Sequence, residues 1–160
     1  MRPFVFTLVA AIALATPFVA GAAQPASVTI HALEFFPASG GGTASFVATG
    51  GIFGSGTSGT QDSTFGFPGS ANSQLHRTAL GVNGVDVNTT AQGTLTWAFG
   101  ARCKFVSASQ AVCAGTWHVI DATGAYAGAQ GEGTLSDVLT FDSFGNATGD
   151  DTFAGRIHIQ

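Results

Sequence analysis

Nine carboxylates, four histidines and two cysteines are the side chains of this 160-residue chain most able to carry chemistry. Glu34 stands apart because it falls in phase with Val28, Ile30 and Ala32, on what should be the apolar face of a strand. A carboxyl held at the mouth or in the interior of a β-structure has its pKa raised and can serve as acid or base. Glu34 is therefore the candidate catalytic residue; the plainer reading is a solvated carboxylate near a strand end. His31, His76, His118 and His158 share no ligand spacing and alternate onto outward faces, so no metal site is expected. The acidic stretch Asp142 to Asp151 lacks the spacing of a calcium loop and reads as a solvated turn. Gly54-Ser-Gly56-Thr-Ser-Gly59 has the bare form of a dinucleotide fingerprint, but no helical period follows it and Pro68 interrupts. It reads as a loop or bulged strand. With no nucleophile elbow, zinc-protease or Walker sequence, no cofactor is expected.

The cysteines belong to a second pattern. If a hairpin turns near Ala108, Cys103 faces Cys113, Phe105 faces Ala111, Phe99 faces Trp117 and Trp97 faces Val119, all on one side. The other side carries Thr96, Arg102, Lys104, Thr116 and His118. That alternation is what an antiparallel pair with one buried face requires. It predicts a Cys103–Cys113 disulfide, the alternative being two free buried thiols. Trp97, Phe99, Trp117 and Tyr126 become the candidate ligand-binding aromatics, or else simple core filling.

The elements that hold these residues are strands. Ser27 to Phe36, Thr43 to Thr49, Ser136 to Phe141 and Thr152 to Ile159 each alternate apolar and polar residues, and Gly- and Ser-rich turns separate them. Leu75 to Val82 reads as a strand or a short helix, with strand preferred. Asn83-Gly84 is a hairpin-turn dipeptide that places a strand on each side of it. Pairing the last strand with the first closes the sheet and removes both edges. The fold class is all-β, a closed antiparallel barrel of about eight strands.

Residues 1–22 read as a signal peptide, from Arg2, the apolar run Phe4 to Ala15 and the small residues Ala20-Gly21-Ala22. Residues 23–160 form a single domain. Export to the cell exterior or periplasm is expected, where a disulfide persists, and no apolar run is long enough for a membrane-spanning helix. Beyond residue 22 only Arg77, Arg102, Lys104 and Arg156 oppose nine carboxylates, so nucleic acid is not an expected partner.

The stretch from Trp117 to Gly133, with Gly124-Ala-Tyr126 at its corner, resembles the allene oxide cyclase and dirigent-protein superfamily. The resemblance implies an eight-stranded barrel with an apolar interior, often forming homo-oligomers, and a first-strand glutamate serving cyclisation. Glu34 is the only carboxylate in Ser27 to Ser39, and the asparagine that accompanies it in cyclases is missing there. The resemblance carries the fold further than the activity. Three functions fit such a barrel. The first is an exported, non-catalytic protein that binds a small apolar ligand or serves as an accessory. The second is a cofactor-independent cyclase or isomerase using Glu34, and the third a structural or partner-binding exoprotein. A dry cavity favours the first, a cavity with a buried polar group the second, and a packed interior the third.

Overall fold

The computed structural model describes residues 24–66 and 79–160; the expected signal peptide, His76 and the start of the Leu75 to Val82 strand lie outside the described residues. Eight strands follow in chain order: β1 (Ala26–Phe36), β2 (Gly42–Gly50), β3 (Thr57–Gly66), β4 (Ala79–Thr90), β5 (Gly93–Ser107), β6 (Gln110–Ala122), β7 (Ala129–Phe141) and β8 (Ala147–Ile159). Each pairs antiparallel with its neighbour, and β8 returns to β1 to close the barrel. Ile30 lies opposite Phe153 and Glu34 opposite Gly149 across that seam. Closure means that, among the described residues, every strand has a neighbour on both sides, which removes the open edges a flat sheet would carry. None of the described helices is long and apolar enough to cross a membrane.

The expected hairpin is β5–β6. Cys103 pairs with Cys113, Phe99 with Trp117 and Trp97 with Val119, and the cysteines are joined by a disulfide. Phe105 pairs with Ala111 as expected but sits at the barrel rim, where it is half-exposed.

Asn83-Gly84 is a correction: it lies within β4 and makes no turn. Gly84 has no positive φ. Its lack of a side chain serves a close approach instead, since a Cβ there would stand 2.4 Å from Phe99 Cζ and 2.5 Å from the Thr64 carbonyl oxygen. The Gly54–Gly59 stretch is a turn running into β3, without a helix behind it.

One half of the barrel is packed. Trp97 stacks at 5.6 Å on Trp117 and at 5.2 Å on Phe153, with Ile30, Leu95 and Ile157 fully buried around them. Gly133 and Gly155 make room for the Trp117 indole, whose atoms would come within 2.8 Å and 2.7 Å of a Cβ at those positions. Tyr126, in the corner with Gly124 at φ 62°, packs on Phe53 and closes this half, and its hydroxyl lies 2.9 Å from Thr90 Oγ1.

The disulfide closes a loop of ten residues' separation within an already paired hairpin. Replacing both cysteines by serine should lower the unfolding free energy by about 2.5–3 kcal/mol in the chain-entropy treatment. Urea titration followed by tryptophan fluorescence checks this, the barrel remaining folded in water. An unchanged midpoint would mean that the hairpin is held as firmly without the bridge.

Candidate functional site

The other half of the barrel is hollow. A cavity of about 400 Å³ opens there. Its wall is apolar: Phe36, Phe65, Leu80, Val82, Phe99, Leu139 and Phe141 project from five strands, and the Cys103–Cys113 bridge forms part of it. Its floor is not. Glu34, Asp86, Asp137 and Asp151 line the cavity while being 7, 2, 7 and 4 % exposed. Four carboxyls thus meet at the boundary between the hollow and the packed halves.

Strand alternation puts them there. Glu34 continues the inward face of Ile30 and Ala32; Asp137 stands between Leu135 and Leu139; Asp151 precedes Phe153 by two residues. Asp86 on β4 points inward with Asn88, across from Trp97 on β5 and Ser63 on β3. Asp137 and Asp151 are directly opposed across β7–β8. Like charges so placed repel, so the pair is stable only if it holds a proton.

Hydrogen bonds divide the floor. Glu34 Oε1 accepts from Gln61 Nε2 and from the Ser63 hydroxyl, each at 2.5 Å. Asp86 Oδ2 accepts from the Trp97 indole N–H at 2.9 Å. The Ser63 hydroxyl also lies beside Asp86, so its one proton is contested by two carboxyls; it is directed at Glu34, and Asp86 Oδ1 is left without a hydrogen bond. Asp151 stands against both Glu34 and Asp137, and such carboxyl–carboxyl contacts become hydrogen bonds only where one carboxyl keeps its proton. Gly149 leaves room for them: a Cβ there would stand 3.1 Å from Asp137 Oδ1, 3.1 Å from Phe36 Cε2 and 3.4 Å from Asp151 Oδ2.

Among the described residues no cation compensates, since no Lys, Arg or His is buried. Burial pushes the Asp86 carboxyl up to about 7, and the Glu34 charge adds to the rise, while the Ser63 and Trp97 contacts oppose it. Burial likewise raises Asp137, with the Glu34 charge adding to the rise and the Asp151 contact opposing it; burial raises Asp151 more, and there Asp137, Glu34 and Asp86 all add to it. The floor consequently contains both a neutral acid and proton acceptors at neutral pH, the arrangement by which paired carboxyls divide acid and base roles. Among the described residues no group of three His, Cys, Asp or Glu side chains could hold a metal ion.

Of the aromatics singled out by sequence, Phe99 lines the cavity. Trp97 touches the site only through its indole N–H, and Trp117 and Tyr126 belong to the packed half. Glu34 lies at the floor. His31 and His118 are exposed. The acidic turn splits in two: Asp142 is exposed and caps its own turn, taking hydrogen bonds from Phe144 N and Asn146 N, whereas Asp151 is buried in the floor. Sequence reasoning overlooked Gln61, Ser63, Asp86, Asn88, Asp137 and Asp151. Their signal was the one that marked Glu34, a polar residue in phase with a strand's apolar face.

The raised carboxyls predict an inverted pH dependence. Between about pH 4 and 7 the folded chain binds more protons at Asp86 than the unfolded chain does, so stability falls as pH rises. For Asp86 alone, the rise from 3.8 to about 7 corresponds to on the order of 4 kcal/mol across that window. Exposed Asp142, whose carboxyl is held below its usual value by Asn146 and neighbouring backbone N–H groups, acts oppositely and loses its contribution in acid. Thermal melts should therefore peak near pH 4–5 and decline toward pH 8, and Asp86→Asn should flatten the slope. A wild-type melting temperature rising from pH 5 to 8 would contradict this.

No protein-family model matches the chain, and no curated protein or solved structure gives a match, so the cup's own geometry bears the weight of a functional reading.

Proposed function

We propose that the barrel takes one small, largely apolar molecule into the cup and sets its polar end on the carboxyl floor. There, proton transfer rearranges it, as in a cofactor-independent isomerase or cyclase. One observation carries this reading: four carboxyls buried at the foot of an apolar cavity with no basic partner among the described residues. Burying them lowers stability, and replacing such groups by well-packed apolar residues is commonly neutral or stabilising. Their use is therefore chemical. Asp151 is the neutral acid, and Asp86 Oδ1, which has no hydrogen-bond partner, is an acceptor free to take a proton from the molecule. Glu34, held by Gln61 and Ser63, orients Asp151. The cavity volume lies within the range of small-molecule sites.

The likeness of Trp117 to Gly133 to the allene oxide cyclase and dirigent superfamily supports an assignment to it, together with the eight-stranded closed barrel. The acid is then placed differently, on β8 as well as β1. The N-terminal signal pattern and the disulfide support export.

Native mass spectrometry of the protein purified from its host should detect a bound compound. Incubated with the protein in deuterated water, that compound should gain deuterium at carbon, and Asp151→Asn should slow the exchange by at least ~100-fold, the scale of general acid–base catalysis. A compound that binds and is returned without deuterium would make the barrel a carrier.

A further inference from the structure

Among the described residues the floor has no cation and few donors to spare. The Gln61 amide, the Ser63 hydroxyl and the Trp97 indole each direct a donor at a carboxylate oxygen, and among the described residues what is left to donate is the Asn88 amide and the proton of a neutral carboxyl. Of the buried polar atoms left without a partner, those on residues that line the cavity are carboxyl oxygens, Asp86 Oδ1, Asp137 Oδ1 and Asp151 Oδ2; Gln61 Oε1 and the Asn88 amide nitrogen and oxygen, likewise unpartnered, belong to residues outside the lining. Asp86 is 2 % exposed and lines the cavity, so its free oxygen is a buried acceptor with nothing to accept. Such an atom costs about 1–3 kcal/mol, more when charged, and a ligand that satisfies it recovers that cost.

Among the described residues the titratable groups facing the cavity are Glu34 from β1, Asp86 from β4, Asp137 from β7 and Asp151 from β8. The inward residues beside them on β2, β3, β5 and β6 are Ala44, Gln61 and Ser63, Trp97 and Phe99, and the bridged Cys113, none of which ionises here. The potential at the floor is therefore of one sign. A carboxylate or phosphate end would be repelled, and a ketone or ether would leave Asp86 Oδ1 unsatisfied. An alcohol would supply one donor and no charge.

We infer that the polar end held by the floor is a basic nitrogen, so that the cup's ligand is a small apolar amine. The inference rests on the reading that the cup admits a small molecule, and it names the class. An ammonium group supplies several N–H donors and the compensating charge. An amine that arrives neutral takes the proton of one carboxyl, leaving an ammonium beside a carboxylate with no net change of charge. One that arrives protonated displaces a proton from the floor to solvent. The rings of Phe36, Phe65 and Phe99 suit such a ligand, because aromatic faces attract cations as well as apolar stems. A metal ion does not fit the same acids, since no three of them are placed to ligate one.

The test uses three probes with the same apolar body: 3-phenylpropylamine, 3-phenylpropan-1-ol and 3-phenylpropanoate. Each is titrated into the disulfide-intact protein at pH 7.5 by calorimetry. The amine should bind at least ~10-fold more tightly than the alcohol, about 1.4 kcal/mol, and the carboxylate should not bind. Asp86→Asn, and separately the Asp137→Asn/Asp151→Asn pair, should each weaken amine binding more than alcohol binding and so narrow the amine's advantage; near-UV circular dichroism from Trp97 and Trp117 checks that the variants fold. Alcohol and amine binding equally well would overturn the nitrogen assignment and leave the small-molecule cup standing. Binding of the carboxylate as well as the amine would overturn it too. If none of the three binds, the cup reading itself fails and the inference with it.

Discussion

Four carboxyl groups buried in one layer, with no basic residue beside them among the described residues, are the constraint around which this barrel is arranged. Charge of one sign cannot be concentrated in an apolar interior, so the layer holds protons, and its members divide into a neutral acid and acceptors. Everything nearby serves that layer. Gln61 and Ser63 direct their donors to Glu34, the Trp97 indole N–H satisfies one oxygen of Asp86, and Gly149 leaves the space in which Asp137 and Asp151 meet.

The layer also separates two halves made by the same alternation of residues. Below it, large rings fall opposite glycines, and Trp117 fills the room left by Gly133 and Gly155. Tyr126 and Phe53 then close that end. Above it, inward residues are long enough to coat the wall but not to meet across it, and the Cys103–Cys113 bridge takes positions where larger side chains would reach into the space. A small barrel is ordinarily filled by its own side chains. This one is filled to half its height, and the acids stand where filling stops.

Much of the architecture could be read directly from residue spacing. The β5–β6 register followed from the cysteines and aromatics together, because a period of two and a shared pairing sum over-determine it, and the β8–β1 seam followed from two regular strands that would otherwise be edges. Asn83-Gly84 misled because a turn dipeptide and a glycine admitting a neighbouring ring look alike in one dimension; only the placement of Phe99 tells them apart. Glu34 was visible as a charge on an apolar face. Asp137 and Asp151 were hidden by their settings, one in a strand read for its leucines and one at the end of an acidic turn. Their opposition is a property of pairing between strands, which local composition does not contain.

The chemistry proposed for the cup depends on the protonation of its floor, and that can be read directly by following the side-chain carboxyl carbons of 13C-labelled protein by NMR from pH 3 to 10. The account predicts that Asp86 titrates near 7 and that Asp151 remains protonated well above it, while exposed Asp142 titrates below its ordinary value. Midpoints near 4 for Asp86, Asp137 and Asp151 alike would show a floor that is solvated and fully charged at neutral pH, and would contradict it.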